Sequence, residues 1–184
     1  MVTVVRGAQP DVREIAETVT DPELPMLTLA DLGVLRDVWV THAGTVVVSI
    51  TPTYSGCPAM DAMRDDLRRA LRAAGYDDVE VRTVLEPAWT TDWISASGRA
   101  KLARAGISPP HTAPTRAPGP IQLDLGATVR GAAGPDLGAT VRVIRCPQCG
   151  SARTEEQSRF SSTACKSLWR CSSCLEPFEH IKEI

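Results

Sequence analysis

Two pairs of cysteines constrain this chain more than any other feature: Cys146-Pro-Gln-Cys149 and Cys171-Ser-Ser-Cys174. A C-x2-C loop offers two thiolates along one edge of a tetrahedron, and two such loops on facing hairpins complete a four-cysteine site. The matched spacing predicts a ribbon stapled by zinc. The tail that carries it has few large apolar side chains, too little to fold on hydrophobic burial, so metal binding has to supply the missing stability. Gly150 follows the first pair where a tight turn needs it, whereas Leu175 holds the matching place after the second, which makes the second knuckle less regular. A redox dithiol or ordinary reduced cysteines are the competing readings, and neither accounts for two matched spacings. A fifth thiol, Cys165, lies between the pairs and reads as an alternative ligand, a functional thiol or a small buried residue.

The redox setting supports metal over disulfides. Nothing in MVTVVRGAQPDVREIAE has the charged start, apolar block and cleavage site of an export signal, and no apolar run is long enough to span a bilayer. A cytoplasmic protein without membrane contact is expected, and there C-x2-C pairs read as metal ligands. The chain carries 20 Lys+Arg against 22 Asp+Glu, a net charge of -2, which is not the electrostatics of a protein held on phosphate backbones. In the tail, Glu155, Glu156, Glu176, Glu179 and Glu183 offset the basic residues, so protein docking is favoured over nucleic acid.

Upstream of the tail the periodicity changes twice. Val12, Ile15, Ala16 and Val19 recur at helical spacing up to Asp21-Pro22, where proline disfavours helix for the residue before it. Val34 to Thr41 and Thr45 to Thr51 read as a hairpin turning at His42-Ala43-Gly44, with Val46, Val48 and Ile50 alternating onto one face. A helix over 58–74 carries the stripe Met60, Met63, Leu67, Ala70, Leu71 and Ala74, with Pro58 in its first turn and Gly75 as its stop. Val79, Val81 and Leu85 supply a third strand, and Ala96 to Ala105 a last helix. The order α-β-β-α-β-α predicts a small two-layer α/β domain over 1–108. A Pro/Gly/Ala-rich linker over 109–142 leads to the ribbon over 143–184. The linker carries most of a direct repeat, DLGATVRGAAGP then DLGATVRVIRCP, which is too short to stack as a solenoid and reads as a linker duplication.

The sixth cysteine stands apart, in TPTYSGCPAM at the junction of strand and helix. With Pro58 opening the helix, Cys57 would sit at the N-cap, where free N–H groups and the helix dipole favour a thiolate. Thr51, Thr53, Ser55 and Gly56 make the loop before it polar, at the carboxyl end of a strand where α/β sheets tend to bind ligands. A small packed residue is the alternative. His42, His111 and His180 lie in a hairpin turn, the linker and the C-terminus, so a Cys-His catalytic pair is disfavoured. In DPELP, Asp21 and Glu23 flank Pro22; they read either as a polar turn or as carboxylates held near Cys57, a pairing able to ligate iron.

DPELP, ADLGVLRDV, a hairpin and then TPTYSGCPAM together resemble the SufT-like domain family, implicated in iron-sulfur cluster assembly. With EPAWTTDWIS, GRAKLARAGISPP, RCPQCGS, STACKSLWRC and CLEPFEHIK the whole chain resembles the PaaD family, accessory proteins of the multicomponent phenylacetyl-CoA epoxidase of aerobic phenylacetate catabolism. The duplicated linker is the visible departure. The resemblance implies a SufT-like domain joined to a zinc ribbon, with no catalytic activity of its own. It also implies a role in maturing iron-sulfur or diiron centres, with Cys57 as the motif cysteine, a transient ligand or docking thiol. Asp21, Glu23 and Thr51 are the candidate residues around it; Cys146, Cys149, Cys171 and Cys174 are the candidate metal ligands. Structural zinc and a transient iron-sulfur cluster are the expected cofactors. Components of the epoxidase or of iron-sulfur assembly are the expected partners, with a homodimer left open. The chain has no Glu-x-x-His diiron motif, G-x-G-x-x-G loop or P-loop. A thiol oxidoreductase using Cys57 and Cys165 is the alternative.

Overall fold

The computed structural model describes residues 11–54, 56–111 and 143–184. The first helix, α1 (Val12–Glu17), starts where the Asp11 side chain accepts the N–H of Arg13, and it buries Ala16. Beyond it the chain turns back at Asp21, whose Oδ1 accepts the N–H groups of Glu23 and Leu24, both at 2.8 Å. Strands β1 (Leu35–Val40) and β2 (Val46–Ile50) form the expected antiparallel hairpin. Strand β3 (Val79–Thr83) lies parallel to β2 on its other side, a pairing that needs a crossover. Helix α2 (Met60–Ala73) supplies that crossover and buries Met60, Met63, Leu67 and Leu71.

Three local expectations are corrected. Helix α2 begins at Met60 with Ala59 as its cap, so Pro58 and Cys57 lie in the turn before it. Leu85 lies beyond β3 and is 61% exposed, because β3 ends at Thr83 where β2 has no further residue to pair with it. All five residues of β2 are buried, not alternate ones. As the middle strand, β2 is flanked on its outer face by Trp39 and Glu80, which pair with Val47, and Arg82 lies over the Trp39 ring at 5.8 Å.

Helix α3 (Ala96–Arg104) begins where the Ser95 hydroxyl accepts the N–H of Gly98. It is stapled to the loop before β1 by Asp31, which accepts from Lys101 Nζ, from Ser95 Oγ at 3.0 Å and from the Thr28 N–H at 3.3 Å. A side chain at Gly98 would meet the Asp31 carbonyl oxygen at 2.8 Å, so this close approach requires glycine.

Strand β4 (Ile107–Ser108) follows α3, but its partner is in the tail. The ribbon strands β5 (Thr154–Ser158), β6 (Lys166–Cys171) and β7 (Pro177–Ile181) form an antiparallel sheet, which β4 extends in the order β4-β7-β6-β5. Ile107 and Ile181 both enter the main core, and His180 Nδ1 lies 3.1 Å from the Ser108 carbonyl oxygen. The ribbon is thereby docked on the first unit. Most of the linker duplication lies outside the described residues.

Candidate functional site

The two cysteine pairs converge as their spacing predicts. Each knuckle is closed by matching backbone bonds: Gly150 N–H to the Cys146 carbonyl at 2.9 Å, and Leu175 N–H to the Cys171 carbonyl at 3.0 Å. The residue that closes each is left-handed, Gly150 at φ 71 and Leu175 at φ 66, so the second knuckle reaches the same geometry with a side chain that resists it. The four sulfurs lie within 4.8 Å of one another, with Cys146 to Cys174 at 3.7 Å and Cys149 to Cys171 at 3.6 Å. A tetrahedron with metal–sulfur bonds of about 2.3 Å has edges of about 3.8 Å, so the donor set fits one tetrahedral ion. The backbone N–H groups of Cys174 and Ser173 bring the Cys171 thiol down to about 6.

The second constellation forms where the ribbon meets the first unit. Asp21, Glu23, Thr53, Cys57 and Cys165 line one small cavity, walled by apolar side chains that include Met63, Trp89 and Ile181. Trp89 is fixed there by its indole N–H, which donates to the Leu32 carbonyl at 2.9 Å. The turn at 21–24 brings the two carboxylates, the loop after β2 brings Cys57, and the turn before β6 brings Cys165. Thr51 is not with them. It is 1% exposed, donates its N–H to the Val34 carbonyl at 2.9 Å and lines an adjoining groove with Pro52, Thr53, Tyr54 and Leu85.

The electrostatics of this cavity oppose the expected thiolate. Burial is the main cause holding the Cys57 thiol above its ordinary value; the Ala59 N–H pulls it down, while Glu23, Asp21 and Cys165 push it further up. Burial likewise raises Cys165 against a hydrogen bond with Thr163, and Glu23 adds to the rise. Asp21 is raised by burial in spite of its two backbone N–H bonds and Lys166, and Glu23 by burial and by Asp21. Lys166 is the cation facing this group. It is 4% exposed and its ammonium is 2.8 Å from Glu179. Lys166 carries no local signal in the sequence, and Thr53 reads there only as part of a polar loop. The spatial approach of Cys165 to Cys57 is equally hidden, because nothing local to either residue shows that the two units touch.

The comparisons with known proteins agree with this two-part build. Residues 9–83 match the family model described as iron-sulfur cluster assembly protein, and residues 131–182 match the PaaD zinc beta ribbon domain. A protein of Escherichia coli (strain K12) assigned to the 1,2-phenylacetyl-CoA epoxidase as one of its subunits is 40% identical over 95% of this chain and 94% of its own. The Fe-S protein maturation auxiliary factor of Porphyromonas gingivalis (strain ATCC BAA-308 / W83) is 33% identical over 50% of this chain and 88% of its own. The Fe-S protein maturation auxiliary factor YitW of Bacillus subtilis (strain 168) is 33% identical over 47% and 84%. The likeness to maturation factors thus covers about half of the chain, whereas the likeness to the epoxidase component runs through the ribbon, and on that match the chain belongs to the PaaD family.

Proposed function

We propose that the chain is an accessory factor that helps to mature the iron-sulfur or diiron centres of a phenylacetyl-CoA epoxidase in aerobic phenylacetate catabolism. It has no catalytic activity of its own and acts in the cytoplasm on protein partners, the components of the epoxidase or of iron-sulfur assembly. Zinc is the structural metal of the ribbon, held by Cys146, Cys149, Cys171 and Cys174. Cys57, with Asp21 and Glu23 beside it, is the working thiol, a transient ligand for an iron-sulfur species passing to a client.

The observation that carries this reading is the contrast between two cysteine sites in one chain. Four thiols stand ready for one ion, and a separate half-buried thiol shares a cavity with carboxylates. The first has the closed donor set of a structural site, and the second is incomplete, as a site that must release its cargo has to be. A thiol oxidoreductase is disfavoured, since burial holds both Cys57 and Cys165 toward the protonated form, which is the poor nucleophile.

Cys57→Ala tests the proposal. The residue is only partly buried against the core, so the variant should fold and keep its zinc, while phenylacetate-dependent growth and the iron content of purified epoxidase fall to the level of a deletion strain. Wild-type iron loading in the variant would make Cys57 a packing residue and sink the assignment.

A further inference from the structure

A histidine crosses the seam between β4 and β7 with one of its nitrogens unsatisfied. His180 of β7 is 3% exposed, and its Nδ1 lies 3.1 Å from the Ser108 carbonyl oxygen of β4. A carbonyl oxygen only accepts, so Nδ1 carries the ring proton, and a neutral ring would leave Nε2 with a bare lone pair. That buried Nε2 has no hydrogen-bond partner among the described residues, yet it faces Glu183 Oε2 at 3.6 Å. A lone pair against a carboxylate repels, whereas a proton on Nε2 turns the same contact into an ion pair. The other Glu183 oxygen, Oε1, reaches the far side of the seam: it is 3.1 Å from His111 Nδ1 and accepts the His111 N–H at 3.3 Å. His111 follows Pro110, whose carbonyl accepts from Arg99 of α3, and Arg99 also donates to the Thr91 carbonyl at 2.7 Å. The Thr91 N–H in turn donates to the Ile184 carbonyl at 3.2 Å. Glu183 is thereby held between a ribbon imidazole and a segment fixed to the first unit.

We propose that His180 and Glu183 form a proton-linked latch: the His180 imidazolium, bonded to Ser108 on one side and paired with Glu183 on the other, locks the ribbon onto the first unit, and loss of its Nε2 proton to solvent loosens the seam. Burial works to raise the Glu183 carboxyl, but the His180 and His111 imidazoles outweigh it and hold the carboxyl well below the ordinary carboxylate range. The remaining groups around His180 are balanced. Glu156 of β5 favours the added charge, Arg159 and Lys182 oppose it, Trp169 of β6 meets the ring edge-on at 6.2 Å, and the His111 ring is 6.5 Å away. The docked state favours the charged ring, so the contribution of the latch is full in mild acid, where the ring is protonated docked or not. It is lost as pH rises through the imidazole range. Cys165 and Ile181 of the ribbon wall the cavity that Cys57 lines, so a loosened seam opens that cavity. The latch regulates access to the thiol of the maturation reading, but it does not depend on what Cys57 carries.

Two measurements on the zinc-loaded full chain test the latch. With three histidines in the chain, long-range proton–nitrogen NMR of nitrogen-15 histidine reads the ring of each directly. His180 is expected as an imidazolium at about pH 5.5 and as the Nδ1–H tautomer at about pH 8.5. Over the same range, hydrogen-exchange protection of β4, corrected for the intrinsic rate, should fall roughly tenfold while β1 to β3 keep theirs. Glu183→Gln should start from the lower protection and lose the pH dependence, and His111→Gln should retain most of it. At one mildly acidic pH, alkylation of Cys57, read from its peptide by mass spectrometry, should be several-fold faster in Glu183→Gln than in wild type. A His180 ring that stays neutral at about pH 5.5, or a Glu183→Gln protein with the wild-type pH dependence, overturns the latch. Equal alkylation of Cys57 overturns its control of the cavity. If a variant misfolds, the state of the wild-type ring decides the matter. Failure of the maturation reading would show instead as normal epoxidase iron in Cys57→Ala, with the pH dependence of the seam untouched.

Discussion

The first unit and the ribbon solve the same problem, holding a small β-sheet together, by different means. Helices α1 and α2 cover the sheet β1-β2-β3, and its core runs from Ala16 through Leu67 and Leu71 to Leu102, many of these side chains fully buried. The ribbon has a cluster of four buried residues, Ile144, Cys146, Cys171 and Phe178, and two of the four belong to the four-cysteine group that could hold a metal ion. Apolar burial at about 25 cal/mol per Å² can hold the first unit, whereas the ribbon has too little apolar area to offset its own chain entropy. The difference teaches that hydrophobic packing is concentrated in the first unit, while the ribbon gathers a four-cysteine donor set. The seam, where Ile181 of the ribbon enters the larger core, is where they are coupled.

The largest expected effect breaks the comparison on the ribbon side. Cys171→Ser, or removal of the metal by a strong chelator, should release the ion and unfold residues 143–184, since structural zinc contributes on the order of 10 kcal/mol to such units. Hydrogen exchange should show the loss of protection confined to β4 and the ribbon strands, with β1 to β3 still protected. Cys165→Ser should leave the ribbon metal in place. Full metal content in Cys171→Ser would remove the four-cysteine site.

On the other side, Leu67→Ala should destabilise the first unit by about 2–5 kcal/mol, because Leu67 is 0% exposed and its removal leaves a cavity. Denaturant unfolding followed by far-ultraviolet circular dichroism should register it, and metal content of the folded protein should not change. A simultaneous loss of the ribbon metal would show that the two units fold as one.

Acid provides a finer test at the seam. Lys166, Ser161 and Ser162 outweigh the effect of burial and hold the Glu179 carboxyl down at about 2, against an ordinary value of 4.5. A carboxyl lowered on folding contributes stability that is present above about pH 4.5 and is lost as pH falls from there toward 2. Solvent screening of this partly exposed carboxyl reduces the contribution to about 1–2 kcal/mol at neutral pH. Wild type and Glu179→Gln compared at each pH should differ above 4.5 and converge below it. A pH-independent difference would mean that the charge of Glu179 is immaterial.

The smallest effect sharpens the contrast between the knuckles. Leu175 adopts φ 66 where the first knuckle has Gly150 at φ 71. Since Leu175 is exposed and loses little packing, Leu175→Gly should stabilise the metal-bound ribbon by about 0.5–1 kcal/mol. Gly150→Leu should destabilise it by a similar amount or more. A rise in thermal midpoint for the first and a fall for the second would confirm the common geometry.

Local pattern was enough to read the elements that interact with their sequence neighbours. The stripe Met60, Met63, Leu67 and Leu71 dictates one buried helix face, the hairpin follows from two strand runs around a short turn, and C-x2-C predicts a knuckle because its ligands are three residues apart. The start of α2 was less legible, because proline is compatible with both a first helical turn and the turn before it. The full burial of β2 was hidden for another reason, since strand order is a property of the sheet and not of the strand.

By itself, the sequence determined a two-part chain: a small α/β unit that carries Cys57 and the Asp21 turn, and a ribbon with two matched cysteine pairs. Only the tertiary structure decided that β4 leaves the first unit to pair with β7, and that this docking places Cys165 against the Cys57 cavity. Tertiary packing also set the direction in which the Cys57 thiol is shifted. Helix position is a local quantity and favoured a thiolate, but burial and the nearness of Glu23 and Asp21 depend on residues distant in the sequence, and these outweigh the single N–H of Ala59.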